Sequence, residues 1–546
     1  MSETTEAAQQ PGRNDTSRRM AGAAAVMMVS MFASRVLGFV RDAIISGKFG
    51  QGAGSDVYYA AFNVPDLLFY LIAGGALSSA FIPVFTEKIT LGRRQEAWRI
   101  FSTVACVMFL VVSVVVIVGE LLAHQLVRLT SYGFAPSLIP ETVRLTRIVL
   151  PAQICFFLGG LMMGAQQAHG KFFVPSLGPN IYNVGIIVGG MALGSTLGPE
   201  GLCWGALGGA VIGNFVIQLI GVRKLGMHFT PSLAWRDPDV MRVWKLMLPV
   251  IFGIALPQVS MLFNKIFASS LGQGPVSALQ RGALLMQAPL GIFGQALAIA
   301  IFPTMAAQAA RKDFGGMRNT VNQGMRFVLF LTIPSSAGLV LLGHPAIALW
   351  LQHGVFRQAD TDMVVVALTY YSIGLFAWAA QGVLSRGFYA LQDTVTPVVV
   401  GTVVTLIFIP TNLFFMNGLH LGMVGLPLAT TVAATLHMLA MGTVLSRRLS
   451  GIGSAGIVRS AVLICAASAI AGAAGWATLR LVEFAPALGS GLAAVKLGAL
   501  LRLLAGGGVF VGVYFGAAFA LKMDETSQIV GMLRRRRARA GAAPTA

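Results

Sequence analysis

The chain has 546 residues, of which 56% are hydrophobic and only 11% charged. Soluble domains carry roughly 25% charged residues, so a water-facing globular surface is excluded, and the apolar runs recurring from Ala23 to Leu521 exclude disorder. The excess of 39 Lys+Arg over 20 Asp+Glu, net +19, lies in short loops and tails between those runs. Cytoplasmic loops of membrane proteins collect such an excess for topological reasons, so it does not mark a nucleic-acid surface.

In chain order, residues 1–21 are polar and read as a disordered tail. The next apolar run is too long for a cleaved signal peptide and is expected to stay as a span. Apolar runs and breakers place spans near 22–46, 57–85, 98–124, 142–168, 172–196 and 201–223. A second set follows near 241–271, 275–305, 319–342, 362–391, 395–416 and 421–446, with two more near 456–482 and 499–521. At about 20 apolar residues per crossing these make about 14 transmembrane helices. The expected organisation is a tail at 1–21, an N-lobe at 22–224, a C-lobe at 238–448, two further helices within 456–522 and a basic tail at 523–546.

With Met1 inside, the inner loops collect Lys88, Arg93, Arg94, Arg223, Lys224, Arg311, Lys312, Arg447, Arg448 and the cluster Arg534–Arg537. Outer loops hold few basic residues, chiefly Lys48, Arg128, Arg357 and Lys496. Both termini are therefore expected in the cytoplasm.

The sequence repeats itself. Gly75-Ala76-Leu77 with Ala80 and Pro83 returns as Gln295-Ala296-Leu297 with Ala300 and Pro303, and Phe49-Gly50-Gln51-Gly52 returns as Leu271-Gly272-Gln273-Gly274. Pro175 returns as Pro397, Gly205 and Gly208 as Gly422 and Gly425, and Arg223-Lys224 as Arg447-Arg448. A unit of six spans brings the chain back to its starting side, so the repeat is parallel. The expected fold is an all-α polytopic membrane protein: two six-helix lobes around a central cavity, plus two C-terminal helices.

Chemistry concentrates in a few polar residues within spans. Arginine inside a span costs several kcal/mol, yet the first span holds Arg35 and Arg41, six residues and about 120° apart around the helix. Asp42, seven residues after Arg35, shares its face and can partner it or pair with another helix. A structural ion pair, or snorkelling of Arg41, is the plainer alternative. The second span carries Asp56 at its outer edge, Asn63 and Asp66, with Pro65 as a breaker; the seventh carries Asn264 and Lys265; the eighth carries Arg281, Gln287 and Pro289. Cations lining one cleft favour an anionic substrate, and arginine suits phosphate through its planar fork of donors. Interrupted stretches such as Asn63–Gly75, which includes Gly74, and Gln287–Gly294 permit hinge bending.

No phosphate-binding loop, metal-ligand spacing or catalytic serine or zinc motif is present, so neither a cofactor nor an enzyme activity is expected. The four cysteines lie singly within apolar segments.

At Ser34–Asp42, continued by Phe49-Gly50 and Asp56, the chain resembles the MurJ/MviN family of lipid II flippases in the MOP exporter superfamily. Further matches are GGALSSAFIP at 74–83, MQAPLGIFGQALAIAIFP at 286–303, HGVF at 353–356 and FYALQDTVTP at 388–397. The resemblance implies two six-helix lobes plus two helices, and transport of an undecaprenyl-diphosphate-linked peptidoglycan precursor across the bacterial inner membrane. It places the family's first-helix cavity arginines on Arg35 and Arg41, with Ser34, Gly38 and Asp42 beside them, and the acidic residue after the first loop on Asp56. Two positions depart: Phe69 stands where some members have a second-helix arginine, and Leu284 where the eighth-helix arginine is usual, with Arg281 one turn earlier. Membrane lipids and cell-wall synthesis proteins are the expected partners. Export of another polyprenyl-linked glycan or of a solute, or a non-transporting scaffold role, remain the alternatives.

Overall fold

A computed structural model describes residues 13–72, 76–483 and 491–527. Every regular element among them is helical. The chain separates into two compact units. The first takes the chain through Ile45, then Val57–Thr130 and Ala135–Gln258; the second takes Ser46–Asp56, Ser131–Phe134 and Val259 onward.

In chain order the helices are α1 (Arg13–Phe49), α2 (Ala53–Ala61), α3 (Asn63–Ile72), α4 (Ala76–Thr90), α5 (Arg94–Leu121), α6 (Ala123–Thr130), α7 (Ile139–Val149), α8 (Ala152–Ala168), α9 (Phe173–Leu193), α10 (Pro199–Gly209) and α11 (Ile217–Arg223). After them come α12 (Pro238–Ala268), α13 (Pro275–Pro289), α14 (Ala296–Ala310), α15 (Phe314–Leu351), α16 (Gln358–Ile373), α17 (Leu375–Ala390), α18 (Val395–Leu413), α19 (Gly425–Arg448), α20 (Ser454–Glu483) and α21 (Leu492–Ala520). Single π-helical turns at Ala210–Val216 and Leu290–Gln295 join α10 to α11 and α13 to α14. Among the described residues nine helices are long and apolar enough to cross a membrane, ten if the bent pair α16–α17 counts as one span. The remaining expected spans, near 22–46, 57–85, 172–196 and 241–271, are helical too and carry most of the polar residues singled out above. This is consistent with 14 crossings.

One boundary changes. Helix α1 begins at Arg13, inside the stretch read as a tail. At 1.5 Å per residue its 37 residues span about 55 Å, well beyond the roughly 30 Å hydrocarbon core. The first span therefore continues as helix past the membrane surface.

The repeat is written in the backbone as well. Residues of positive φ punctuate the helices at Gly50, Gly92, Gly170, Gly198 and Gly226, and again at Gly272, Lys312, Gln392, His420 and Ser450. Each pair is 220 to 224 residues apart. Most of them close a helix by offering an N–H to a carbonyl of the last turn, while Gly198 opens α10 as its N-cap, so the two halves turn at the same places.

Lipid is as apolar as the side chains, so helices in a membrane associate through close packing and polar bonds more than by the hydrophobic effect. Both devices are present. In the first unit α9 and α10 meet through glycines: a methyl on Gly205 would sit 2.3 Å from the Gly185 carbonyl, and one on Gly189 would sit 2.6 Å from the Gly205 Cα. Nearby, Phe81, Phe85, Trp98 and Phe101 stack edge to face in a buried cluster. In the second unit α21 runs antiparallel along α15 and is bonded to it at three heights. Lys496 donates to the Ala348 and Leu349 carbonyls at 3.0 and 2.6 Å, and Tyr514 donates to the Phe330 carbonyl at 2.7 Å. At the far end Arg326 pairs with Asp524 and Glu525, each at 2.7 Å.

Candidate functional site

The polar heart of the first unit lies between α1 and α9. Ser30 donates to the Ser176 carbonyl at 2.5 Å, and the Asn180 amide donates to Ser30 Oγ at 2.6 Å. One turn on, the Asn183 amide donates to Ser34 Oγ at 3.3 Å, while its oxygen accepts from Arg41 Nη1 at 3.1 Å. Helical side chains lean toward the N-terminus, which lets Arg41 reach back to a residue level with Ser34. The rungs advance together along both helices, so α1 and α9 run in the same direction.

Arg41 is partly exposed, and Asp42 beside it is buried. Asp42 accepts from Arg41 Nη2 at 3.4 Å and from the Tyr59 hydroxyl at 2.5 Å. Of the two alternatives for Asp42, the structure shows a bond to another helix, through Tyr59 on α2, and no pairing with Arg35. Arg35 is exposed, without a hydrogen bond or ion pair among the described residues. Around Gly38 an added methyl would meet nothing within 4 Å, so no packing demands the glycine there.

In the second unit the expected cations and their neighbours take different parts. Arg281 on α13 was expected to face water. It is instead fully enclosed: Nη1 donates to the Gly50 carbonyl at 3.1 Å and to Gln51 Oε1, Nη2 donates to Ser55 Oγ at 3.1 Å, and the Phe356 ring lies 5.5 Å from the guanidinium carbon. Its two Nη groups are thus engaged by protein oxygens. Asp56 is likewise buried and accepts from the backbone N–H groups of Gly274 and Ser277, at 2.5 and 2.8 Å, and from the Ser277 hydroxyl at 2.6 Å. It thus caps the positive N-terminal end of α13 and holds helix to loop. Asn264 is buried too; its amide donates to Thr430 Oγ1 at 2.8 Å and to the Tyr371 hydroxyl at 3.4 Å, tying α12 to α19 and α16. Lys265 is half-buried on α12.

Of the hinge candidates, Pro289 ends α13 where the π-helical turn begins, and Pro65 lies in the first turn of α3 just past the break at Phe62. A proline has no N–H to continue the ladder, so both interruptions have a local cause. Gly74 lies outside the described residues.

One large cavity belongs to the second unit, about 1180 Å³, between α15, α16, α17, α19 and α20. Leu329, Ile333, Phe376, Leu439 and Trp476 line it, with Ser446, Arg447 and Ser454 at one end. Its lining is apolar apart from that cationic end.

Asn183, Tyr59 and Asn180 were not picked out from the sequence, because no charged residue stands beside them in their spans as Lys265 stands beside Asn264. The spacing of Asn180 and Asn183, three apart in an apolar run and hence on one helix face, was the available signal.

Long apolar helices, a backbone repeat and a guanidinium exposed on an apolar span define a polytopic membrane transporter. The fold agrees with that class. A solved structure titled "Lipid II flippase MurJ, inward closed conformation" superposes with TM-score 0.75 at 24% identity, covering 91% of this chain and 99% of that one. A multidrug resistance MATE family transporter of the MOP superfamily superposes at 0.63 and 13% identity, covering 78% and 99%. Residues 45–493 match the family model described as "Lipid II flippase MurJ". The probable lipid II flippase MurJ of Vibrio cholerae is 31% identical over 468 residues, 84% of this chain and 88% of that protein. The lipid II flippase MurJ of Burkholderia cenocepacia is 29% identical over 508 residues, 91% and 97% of the two chains. The chain belongs to the MurJ family, and it is a multi-pass protein of the bacterial inner membrane.

Proposed function

We propose that this protein carries lipid II, the undecaprenyl-diphosphate-linked peptidoglycan precursor, from the inner to the outer leaflet by alternating access. No bond of the cargo is made or broken; the work is to move a charged head group past hydrocarbon. Family membership supplies the cargo, and the observation that carries the site is Arg35. Its guanidinium is exposed on a membrane-spanning helix with no internal partner among the described residues. An arginine so placed costs several kcal/mol against lipid but stays hydrated in a wet cleft until an anion arrives. A diphosphate offers it charge-assisted, bidentate bonds. Arg41, with Ser34 and Asp42 beside it, forms the second contact. Asp56, Asn264 and Arg281 act on this reading as fasteners. The apolar cavity lined by α15, α19 and α20 suits the isoprenoid chain, with Arg447 at its end.

Both termini lie in the cytoplasm on this reading. Because the cargo is made on one side of the membrane and used on the other, enzymes of cell-wall synthesis are the expected neighbours.

The test is replacement of the flippase in a bacterium depleted of its own. The wild-type chain restores growth, Arg35→Ala expressed at the same level does not, and Arg35→Lys restores it in part because it keeps the charge and loses the fork. Failure of the wild-type chain would point to a different exported cargo. Full rescue by Arg35→Ala would point to a scaffold.

A further inference from the structure

The Arg41 guanidinium is gripped from two sides by unlike groups. Asp42 is a carboxylate, at 3.4 Å, and is itself held by the Tyr59 hydroxyl. Asn183 is neutral, closer at 3.1 Å, buried, and carried by another helix. A guanidinium only donates and an amide both donates and accepts. The Asn183 oxygen must therefore face Arg41, which turns its nitrogen toward Ser34 Oγ and the Pro179 carbonyl, 3.3 and 3.0 Å away. One amide thus sets the direction of a guanidinium and a hydroxyl together. The glycine contacts between α9 and α10 fix the helix that carries it. Arg41 Nε is buried and meets no acceptor among the described residues, while the side chain as a whole stays partly exposed.

The choice of a neutral acceptor has an electrostatic consequence. A carboxylate at the same point would hold Arg41 more strongly, but it would cancel the charge that draws an anion. An amide orients without cancelling.

We propose that Asn183 is a positioning residue for the anionic head group: it holds Arg41 and Ser34 in their binding geometry while leaving the charge of Arg41 available. This rests on the reading that Arg41 contacts the diphosphate.

The experiment measures lipid II binding to the purified full-length protein in nanodiscs, together with the thermal midpoint, for Asn183→Asp, Asn183→Ala, Arg41→Ala and Arg41→Ala combined with Asn183→Asp. Asn183→Asp keeps the acceptor toward Arg41 and gains an ion pair but loses the donor to the Pro179 carbonyl, so its midpoint is read beside its affinity to show that it folds. Its Kd for lipid II rises about tenfold to a hundredfold, the worth of a charge-assisted hydrogen bond. Asn183→Ala weakens binding in the same direction by freeing the guanidinium. In the Arg41→Ala background the aspartate adds nothing further, because the charge it would cancel is gone. A folded Asn183→Asp protein that binds as wild type overturns the proposal, as does an Asn183→Ala protein that does so should the aspartate variant not fold. If Arg41→Ala itself binds lipid II normally, the failure lies in the substrate reading and the positioning role falls with it.

Discussion

Arg35 and Arg281 look alike in sequence, each a cation in an apolar span, and the structure gives them opposite surroundings. Arg35 is exposed, while Arg281 is enclosed by the Gly50 carbonyl, Gln51, Ser55 and the Phe356 ring. Removing Arg281 leaves buried oxygens with no donor, a loss of about 3 kcal/mol or more. Arg281→Ala should therefore lower the thermal midpoint in detergent and the yield of folded protein. Arg35→Ala should leave the midpoint within the scatter of ordinary surface changes, about 0.5 kcal/mol. Equal midpoints for Arg281→Ala and wild type would refute its role as a fastener. The sequence marked both arginines as costly but could not separate them, because the groups that enclose Arg281 lie some 230 residues away along the chain. The same holds for Asp56 and Asn264, whose polarity was visible and whose partners, Ser277 and Thr430, were not.

Among the elements, helices and their turns were legible because apolar length and glycine are local signals. Gly50, Gly92, Gly170 and Gly226 follow helix ends with the positive φ that glycine adopts freely. The π-helical turns at Ala210–Val216 and Leu290–Gln295 were not legible: one extra residue in a turn leaves composition and hydropathy unchanged. Contact between helices was only half legible. The run of glycines in α9 and α10 was plain in the sequence, but which faces met was not. Those faces now make a prediction. A valine at Gly205 would drive its side chain into the Gly185 carbonyl and the Gly189 Cα, both of them backbone that cannot swing aside. The helices must part, and Asn183 on α9 moves with them. Gly205→Val should thus lower both the thermal midpoint and lipid II affinity, while Gly208→Ala, where a methyl meets nothing within 4 Å, should change neither. Loss of both properties in Gly208→Ala would show that the seam is not the cause.

For the whole molecule, the parallel repeat was the most secure inference from sequence, since small residues and prolines returned in order. The matched residues of positive φ agree with it in a property that side-chain identity hides: four of the five in the second half are Lys312, Gln392, His420 and Ser450, where the first half has glycine. A six-span repeat requires each crossing to reverse the last, and the hydrogen bonds agree. Helices α1 and α9, the first and fifth crossings, run the same way, and α15 and α21, the ninth and fourteenth, run oppositely. Alternation fixes every loop once one is assigned, and basic residues assign it. Arg93, Arg236, Lys312 and Arg448 are expected on one side, with Lys48, Arg128, Arg357 and Lys496 on the other and Arg144 and Arg147 at the end of a span there. Arg128, Arg357, Arg236 and Lys312 are all exposed and report without disturbing the core. With Cys106, Cys155, Cys203 and Cys465 replaced, a membrane-impermeant maleimide should label Arg128→Cys and Arg357→Cys from outside the inner membrane of spheroplasts. It should reach Arg236→Cys and Lys312→Cys only after the membrane is opened. The reverse pattern would invert the molecule, and mixed labelling within either pair would break the alternation on which the six-span repeat depends.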